Sequence, residues 1–395
     1  EKYRERVKCI YIDPPYNTGN DEFLYRDSYQ HSSWLAMMEG RLELAREWMR
    51  EDGAIFVSID DNQSYLLRSL LNGIFGQECF KNMIIVRRGA KNVQAQFEDV
   101  EALNVGHEYM ILYGKTKETR FPKILVGEGR SKGTWNNHWR GTNRPTMRFE
   151  LFGIVPEKGQ WRWSKERSLQ AIKNYEQMVK ELGGEEHSIT QEQIDQWWLR
   201  KYQQTGKKFD LLRLSRSGKP EHYVPPSEGT LLSDLWEDIQ ASSTREVQKF
   251  FNSSIEFSNP KSVKLLERII TLADKTSLIL DFFAGSGTTA HAVINLNRED
   301  GGRRKFILVE MGEYFDTVLL PRIKKVTFTP EWKDGKPKRM ATEEEAKRSP
   351  RIIKVIRLES YEDALNNIAF DEESARQPLA LYSDEYLLRY MLKWE

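Results

Sequence analysis

The apolar and polar residues in the first third of the chain alternate between two patterns. Short, mostly apolar runs, which are typical of strands buried on both faces, occupy residues 7–13, 54–59, 83–86 and 108–113. Between the first two runs, apolar residues recur at helical spacing and predict a helix over residues 33–50, with one face formed by Trp34, Met38, Leu42, Ala45 and Met49. This alternation predicts an α/β fold with a doubly wound, mostly parallel sheet.

A second helix is predicted over residues 63–74. We interpret Asp60-Asp61 in front of it as a helix cap rather than a magnesium site. The rhythm resumes beyond residue 247, where helices are predicted over 261–272 and 288–296, and strands over 277–283 and 305–310. We therefore predict one Rossmann-like domain in two separated halves, residues 1–120 and 248–325.

Residues 121–247 lack this rhythm and contain seven of the 11 tryptophans, namely Trp135, Trp139, Trp161, Trp163, Trp197, Trp198 and Trp236. The change predicts an inserted α+β domain. Residues 326–395 are expected to form a charged hairpin or linker and then a small terminal element, with 352–358 and 387–392 as candidates.

Composition narrows the possible classes of protein. The formal net charge of +1 excludes a uniformly basic nucleic-acid binder, but it allows a basic cleft balanced by acidic faces. The two cysteines, Cys9 and Cys79, argue against a disulfide framework and fit a reducing cytoplasm. No run approaches the roughly 18 apolar residues that a membrane span needs. Because the chain starts at Glu1, just before its first strand, we expect it to be a fragment.

The run Asp13-Pro14-Pro15-Tyr16 directly follows the first apolar run. Two prolines remove two backbone donors, so the turn presents carbonyl oxygens without competing N–H groups. The Asp13 carboxylate and the Pro14 carbonyl could accept both hydrogens of an exocyclic amine, which would make its nitrogen a better nucleophile toward a sulfonium methyl. Tyr16 would stack on the base. The alternative is a strand that ends in a proline turn capped by an aspartate.

A glycine turn follows the predicted strand 277–283 and leads directly into a helix. Glycines allow close approach of a ligand, and the helix N-terminus offers free N–H groups to a nucleotide-like cofactor. Glu310 closes the next strand and is placed to accept hydrogen bonds from ribose hydroxyls. The alternative is a tight strand–helix connection. The residues assigned to this site are Asp281, Phe283, Ala284, Gly285, Ser286, Gly287, Thr288 and Glu310.

One stretch of the insertion is strongly basic, with a single acid, Asp210, among its charged residues. It is the candidate DNA-binding strip and comprises Arg200, Lys201, Lys207, Lys208, Arg213, Arg216 and Lys219. The alternative is a solvated loop. The six histidines show no ligand spacing, so we predict no metal site.

These motifs resemble the beta class of DNA amino-methyltransferases, in which the catalytic motif precedes the cofactor motif. More closely, they resemble the modification subunit of type III restriction–modification systems. The resemblance rests on residues 11–19 (YIDPPYNTG), 56–62 (FVSIDDN), 280–292 (LDFFAGSGTTAHA) and 357–367 (RLESYEDALNN).

The resemblance implies a cytoplasmic bacterial or archaeal enzyme that methylates the N6 amine of a flipped adenine in double-stranded DNA. S-adenosylmethionine is the implied cofactor, with Asn259 and Lys261 as further residues on its side. The insertion would recognise the target. Implied partners are a second copy of the chain and a restriction subunit with helicase and nuclease activity. Three alternatives stay open: methylation of cytosine N4, a DNA-recognition subunit with little activity, and methylation of RNA or a small amine.

Overall fold

The computed structural model describes residues 2–17, 29–89, 103–184, 188–251, 257 and 259–359. Contacts divide the chain into two compact units, of which the first ends at Ser349. Within the described residues, the α-helices are α1 (His31–Trp48), α2 (Asp61–Phe75), α3 (Lys165–Glu181), α4 (Gln191–Thr205), α5 (Thr244–Gln248), α6 (Val263–Thr271), α7 (Thr288–Asp300), α8 (Leu320–Phe328) and α9 (Glu343–Arg348).

The strands in the same residues are β1 (Val7–Ile12), β2 (Met49–Ile59), β3 (Phe80–Arg87), β4 (His107–Gly114), β5 (Leu125–Val126), β6 (Thr134–Asn137), β7 (Trp139–Arg140), β8 (Gln160–Trp161), β9 (Leu212–Leu214), β10 (Pro220–Val224), β11 (Thr230–Leu231), β12 (Leu235–Gln240), β13 (Leu278–Asp281), β14 (Lys305–Leu308), β15 (Trp332–Lys333) and β16 (Lys336–Pro337).

The main sheet has the strand order β12-β3-β4-β2-β1-β13-β14. β1 is parallel to both of its neighbours, since Ile10 pairs with Ile55 of β2 and with Leu280 of β13. The pairs β13–β14 and β12–β3 are also parallel, whereas β4 runs antiparallel to β2 and β3. The predicted mostly parallel sheet is confirmed, and its two halves meet where β1 pairs with β13.

The sheet is covered on both faces. Successive side chains of a strand point to opposite faces, so Cys9 and Tyr11 of β1 join a core with α6 and α7. Ile10 and Ile12 join the opposite core with α1 and α2. All the residues of β1 are buried, which explains why the strand is almost entirely apolar, with Lys8 as the exception. This arrangement confirms the doubly wound fold.

The two helices of the first half follow their local signals. Trp34, Met38, Leu42 and Ala45 form the buried face of α1, as predicted, while Met49 lies beyond the helix and begins β2. Asp60 caps α2 by accepting a hydrogen bond from the backbone N–H of Asn62 at 3.1 Å, so the predicted cap is confirmed.

The Trp-rich segment has its own small sheets and aromatic cores. Strands β6, β10 and β9 form one sheet. One core joins residues of α3 and α4, including Trp197 and Trp198 of α4, with Tyr223 of β10. The end of the predicted insertion differs, because β12 pairs with β3 and becomes an edge of the main sheet. Trp236 on β12 is therefore buried in the main core. The division of the chain into domains stays a prediction.

The predicted charged hairpin exists as β15 and β16, but the segment around it is packed rather than free. Thr329 is fully buried, and the Arg298 guanidinium of α7 donates to the Ser349 hydroxyl at 2.9 Å. In the second unit, the described residues 352–358 form neither helix nor strand, so a terminal element there was wrongly predicted. Residues 360–367 and 387–392 lie outside the described residues.

Candidate active site

The two sequence motifs leave the same edge of the sheet. β1 ends at Ile12 and β13 ends at Asp281, and these strands are parallel neighbours. Ligands of open α/β sheets bind beyond the carboxyl ends of the strands. Tyr16 and Phe283 both pack against the core that α1 and α2 cover. The structure thus brings together two turns that are far apart in the sequence.

A hydrogen bond from a buried tryptophan stabilises the proline turn. The indole N–H of Trp34 donates to the Pro15 carbonyl at 2.8 Å, and the Tyr16 hydroxyl donates to Oδ1 of Asp13 at 2.9 Å. Among the described residues, the Pro14 carbonyl and Oδ2 of Asp13 have no hydrogen-bond donor. These two oxygens are therefore free to accept hydrogen bonds from a ligand. Sequence reasoning placed Trp34 in the core and missed this contact, although a buried indole N–H needs an acceptor.

Lys261 links the proline turn to a buried glutamate. Its Nζ lies 2.7 Å from the Tyr16 hydroxyl, 3.2 Å from Oδ1 of Asp13 and 2.7 Å from Oε1 of Glu108. The side chains of Lys261 and Glu108 are 8% and 3% exposed, respectively. The sequence had placed Lys261 on the cofactor side, and it missed Glu108. A single acid within the apolar strand β4 was the available signal.

Burial and charge act in opposite directions in this cluster. Burial raises the pKa of Asp13, as does Glu108, while Lys261 and the Tyr16 hydrogen bond oppose the rise. Burial alone would lower the pKa of Lys261, but Asp13 and Glu108 raise it above its ordinary value. Burial, Asp13 and Glu108 raise the pKa of Tyr16 well above its ordinary range. Lys261 therefore stays charged, and Tyr16 keeps the proton that it donates to Asp13.

The glycine turn connects β13 to α7 through left-handed backbone. Gly285 has φ 52° and Gly287 has φ 79°, a region that side-chain-bearing residues rarely adopt. Gly287 caps α7 without a side chain, which leaves the helix N-terminus available to a ligand. Asp281 braces the turn by accepting hydrogen bonds from the Phe283 N–H at 3.1 Å and from the Thr289 hydroxyl. Burial raises the pKa of Asp281 to about 7 despite these bonds.

Glu310 lies beside this turn. Its Oε2 accepts from the Gly285 N–H at 2.7 Å, and its Oε1 accepts from the amides of Met311 and Gly312 at 2.8 Å. Ala284 and Ser286 are buried and Phe283 is half-buried, whereas Asn259 is exposed. The Thr288 hydroxyl donates to the Lys261 carbonyl at 3.2 Å. Lys261 therefore contacts both motifs, through its backbone and through its side chain.

Arg322 supports the glycine turn and was missed from the sequence. It is fully buried, and its Nη1 donates to the Ser286 hydroxyl at 2.8 Å and to the Thr288 hydroxyl at 2.9 Å. Within the described residues, no carboxylate lies within 4.0 Å of its guanidinium. Burial lowers the pKa of Arg322 to about 10. Arg322 lies in a region with several other basic residues, and no local pattern distinguishes it from those on the surface.

The predicted DNA-binding strip divides into two groups. Lys201 pairs with Glu181 at 3.0 Å, and Arg213 pairs with Glu221 at 3.4 Å. The remaining basic side chains are exposed and form no ion pair with another described residue; they are Arg200, Lys207, Lys208, Arg216 and Lys219. The structure does not bring these residues into the cluster around Asp13.

Metal-binding clusters and membrane-spanning helices are both absent from the described ranges. These ranges contain no group of three or more His, Cys, Asp and Glu side chains that could hold a metal ion. They also contain no helix that is both long enough and apolar enough to cross a membrane.

Comparison with known proteins places the chain in a family. Residues 7–319 match the family model described as DNA methylase, and the chain belongs to that family. It is 32% identical over 346 residues to the StyLTI Mod subunit, a type III restriction–modification enzyme of Salmonella typhimurium, and the match covers 78% of this chain and 49% of the relative. The chain thus spans about half the length of that protein.

Two further relatives are similar. The type II methyltransferase M.KpnI of Klebsiella pneumoniae is 31% identical over 77% of this chain and 75% of its own length. The EcoP15I Mod subunit of Escherichia coli, also a type III restriction–modification enzyme, is 29% identical over 79% of this chain and 56% of its own length. The resemblance found in the sequence is confirmed.

Proposed function

We propose that this chain is a site-specific DNA methyltransferase that modifies the N6 amine of adenine. The observation that carries the proposal is the placement of Asp13 and Tyr16 beside the glycine turn at one sheet edge. Membership of the DNA methylase family supports it. The identity to the StyLTI and EcoP15I Mod subunits further favours the modification and recognition component of a type III restriction–modification system.

S-adenosylmethionine, when bound, supplies a methyl group activated by its sulfonium. The glycine turn fits such a group because Gly285 and Gly287 carry no side chain and adopt left-handed backbone conformations, and because the N-terminus of α7 has no side-chain cap. Backbone amides use three of the roughly four acceptor positions of the Glu310 carboxylate, so about one remains to accept a hydrogen bond from a ribose hydroxyl. Phe283 would contact the adenine ring of the cofactor, and Asp281 would stabilise the conformation of the glycine turn.

The proline turn would bind the target base. Oδ2 of Asp13 and the Pro14 carbonyl would accept the two amine hydrogens, which raises the electron density on the nitrogen. Tyr16 would stack on the base while its hydroxyl orients Asp13. After transfer, the nitrogen carries one proton too many, and Asp13 is placed to receive it. The base must leave the duplex for this contact, because its amine is otherwise paired.

The Trp-rich segment and its exposed basic residues would recognise DNA. Lys207, Lys208 and Arg216 are free to contact phosphates, and phosphate contacts position a protein on the duplex without reading its sequence. We expect the enzyme to act in the cytoplasm as a homodimer and together with a restriction subunit. A second candidate, methylation of cytosine N4, is kept because that amine presents the same two hydrogens.

The test is transfer of a tritiated methyl group from S-adenosylmethionine to mixed-sequence duplex DNA, followed by digestion to nucleosides. We expect label in N6-methyl-2′-deoxyadenosine and a loss of about 10²–10³-fold in Asp13→Ala, the range for removal of a preorganised hydrogen-bonding group that acts in the transition state. Asp52→Asn, an exposed aspartate paired with Lys8, should remain active. Label in N4-methyl-2′-deoxycytidine would overturn the base assignment. Full activity of Asp13→Ala would overturn the assignment of Asp13.

A further inference from the structure

Lys261 and Glu108 form a buried ion pair whose position needs an explanation. Glu108 lies on β4, Lys261 lies just before α6, and 153 positions separate them. Their side chains meet at the carboxyl edge of the sheet, directly against Asp13 and Tyr16. A buried ion pair is often no more stable than an apolar pair of the same volume. Stability alone is therefore a weak reason for the charges of Lys261, Glu108 and Asp13 to lie together.

The contacts of Asp13 suggest a more specific role. Its Oδ1 accepts from Tyr16 at 2.9 Å and contacts the Lys261 ammonium at 3.2 Å, whereas Oδ2 has no donor among the described residues. Two donors on one oxygen fix the orientation of the carboxylate. Glu108 holds the ammonium at 2.7 Å and so determines where that donor lies.

We propose that Lys261 and Glu108 are positioning residues for the transfer reaction: together they lock Oδ1 of Asp13 so that Oδ2 faces the target amine. This inference rests on the proposed function. It places the side chain of Lys261 on the substrate side, where the sequence resemblance had assigned it to the cofactor. The Lys261 carbonyl contacts Thr288 and remains in any side-chain variant.

The two partners act on Asp13 in opposite directions. The titratable groups that face Asp13 are Tyr11 and Tyr16, Glu108 on β4, Lys261, and Asp281 on β13. Lys261 lowers the pKa of Asp13 and Glu108 raises it. A protonated Asp13 can no longer accept through both oxygens, so activity is lost when Asp13 takes up a proton. Removal of Lys261 should move that loss to higher pH, and removal of Glu108 should move it to lower pH.

The experiment measures kcat and kcat/KM for DNA methylation from pH 5 to 9, with the dissociation constant of S-adenosylmethionine for each protein. We expect Lys261→Gln to lose about 10–100-fold in kcat, as residues that orient a functional group commonly do. The pH below which activity is lost (the acid limb) should move up by about one unit in Lys261→Gln and should move down in Glu108→Gln. The affinity of both variants for the cofactor should stay within about twofold of that of the wild type. Lys8→Gln removes another buried lysine, paired with Asp52 at the other end of β1, and should leave the profile unchanged.

The outcomes separate the two claims. An inactive wild-type protein would defeat the proposed function itself. An active wild type whose acid limb stays in place in both variants, or moves in the same direction, overturns the positioning role. Loss of cofactor affinity in Lys261→Gln with an unchanged acid limb would do so as well, and would restore the cofactor assignment. Should Lys261→Gln fail to fold, the downward shift in Glu108→Gln decides.

Discussion

The carboxyl edge of the main sheet and the Trp-rich segment bury polar groups in different ways. At the sheet edge, Asp13 and Glu108 share the buried cation Lys261. In the Trp-rich segment, the buried carboxylate of Asp195 instead accepts from neutral donors, the Gly133 N–H at 2.9 Å and the Tyr223 hydroxyl at 2.6 Å. The cations of that segment lie mostly on its surface.

Under the proposed function, the difference separates a site for chemistry from a scaffold that presents a DNA-binding surface. A neutral donor satisfies a buried carboxylate and fixes a fold, whereas a buried lysine also controls its charge and orientation. Phosphate recognition has the opposite requirement, because cations that release counterions from DNA must be exposed. The comparison predicts that variants in the two regions will affect different steps.

The largest effects are expected from two tryptophans of equal size, one in each core. Trp197→Ala leaves a cavity in the core of the Trp-rich segment, and Trp236→Ala leaves one in the core of the main sheet. Each variant should lower the free energy of unfolding by about 3–5 kcal/mol. Urea unfolding, DNA titration and cofactor titration would measure the result. Trp197→Ala should lose DNA binding and keep cofactor binding, whereas Trp236→Ala should weaken both. Equal loss of cofactor affinity in the two variants would mean that the regions unfold as one unit.

A smaller effect is expected behind the glycine turn. Arg322→Met removes the hydrogen bonds to Ser286 and Thr288, but it also removes a buried charge without a described carboxylate partner. We therefore expect little change in stability and a cofactor affinity about tenfold weaker, which corresponds to about 1.4 kcal/mol. Arg298→Met is the matched control. Arg298 lies on α7 and, like Arg322, is buried, but it donates to Ser349 and not to the glycine turn. Calorimetric titration that found both variants equally weakened would remove the special role of Arg322.

The two regions should also depend on pH with opposite signs. Asp281 has a pKa raised to about 7, so its contribution to stability is full below about pH 4 and is lost as pH rises through 7. Burial lowers the pKa of His138 to about 3, so its contribution is lost as pH falls below about 6.5. Between about pH 4 and 6.5, where both groups titrate, Asp281→Asn should remove a fall in stability with rising pH, and His138→Phe should remove a rise. Slopes that change in the same direction in both variants would contradict these assignments.

Local features of the fold were predictable and distant contacts were not. The buried run of β1, the apolar face of α1 and the Asp60 cap depend on neighbouring residues, so periodicity and capping preference predicted them. The sequence also assigned the motif residues to one site, and their roles stay a prediction. The role of Glu108 at the site was not predicted because its partner Lys261 is 153 positions away in the sequence. That of Arg322 was not predicted because its partner Ser286 is 36 positions away. The pairing of β12 with β3 was missed for the same reason.

The smallest effect concerns the basic strip, in which single interactions with phosphates are weak. Replacement of Lys207 and Lys208 by glutamine removes two exposed cations without a described ion-pair partner. The dependence of log K on log salt should then fall by about 0.9 for each phosphate that the variant no longer neutralises. Lys201→Gln with Arg213→Gln is the control, because these residues pair with Glu181 and Glu221. Fluorescence anisotropy at several salt concentrations measures both slopes. Equal slopes for the Lys207 and Lys208 variant and the wild type would identify the strip as a solvated surface and leave DNA binding to other residues.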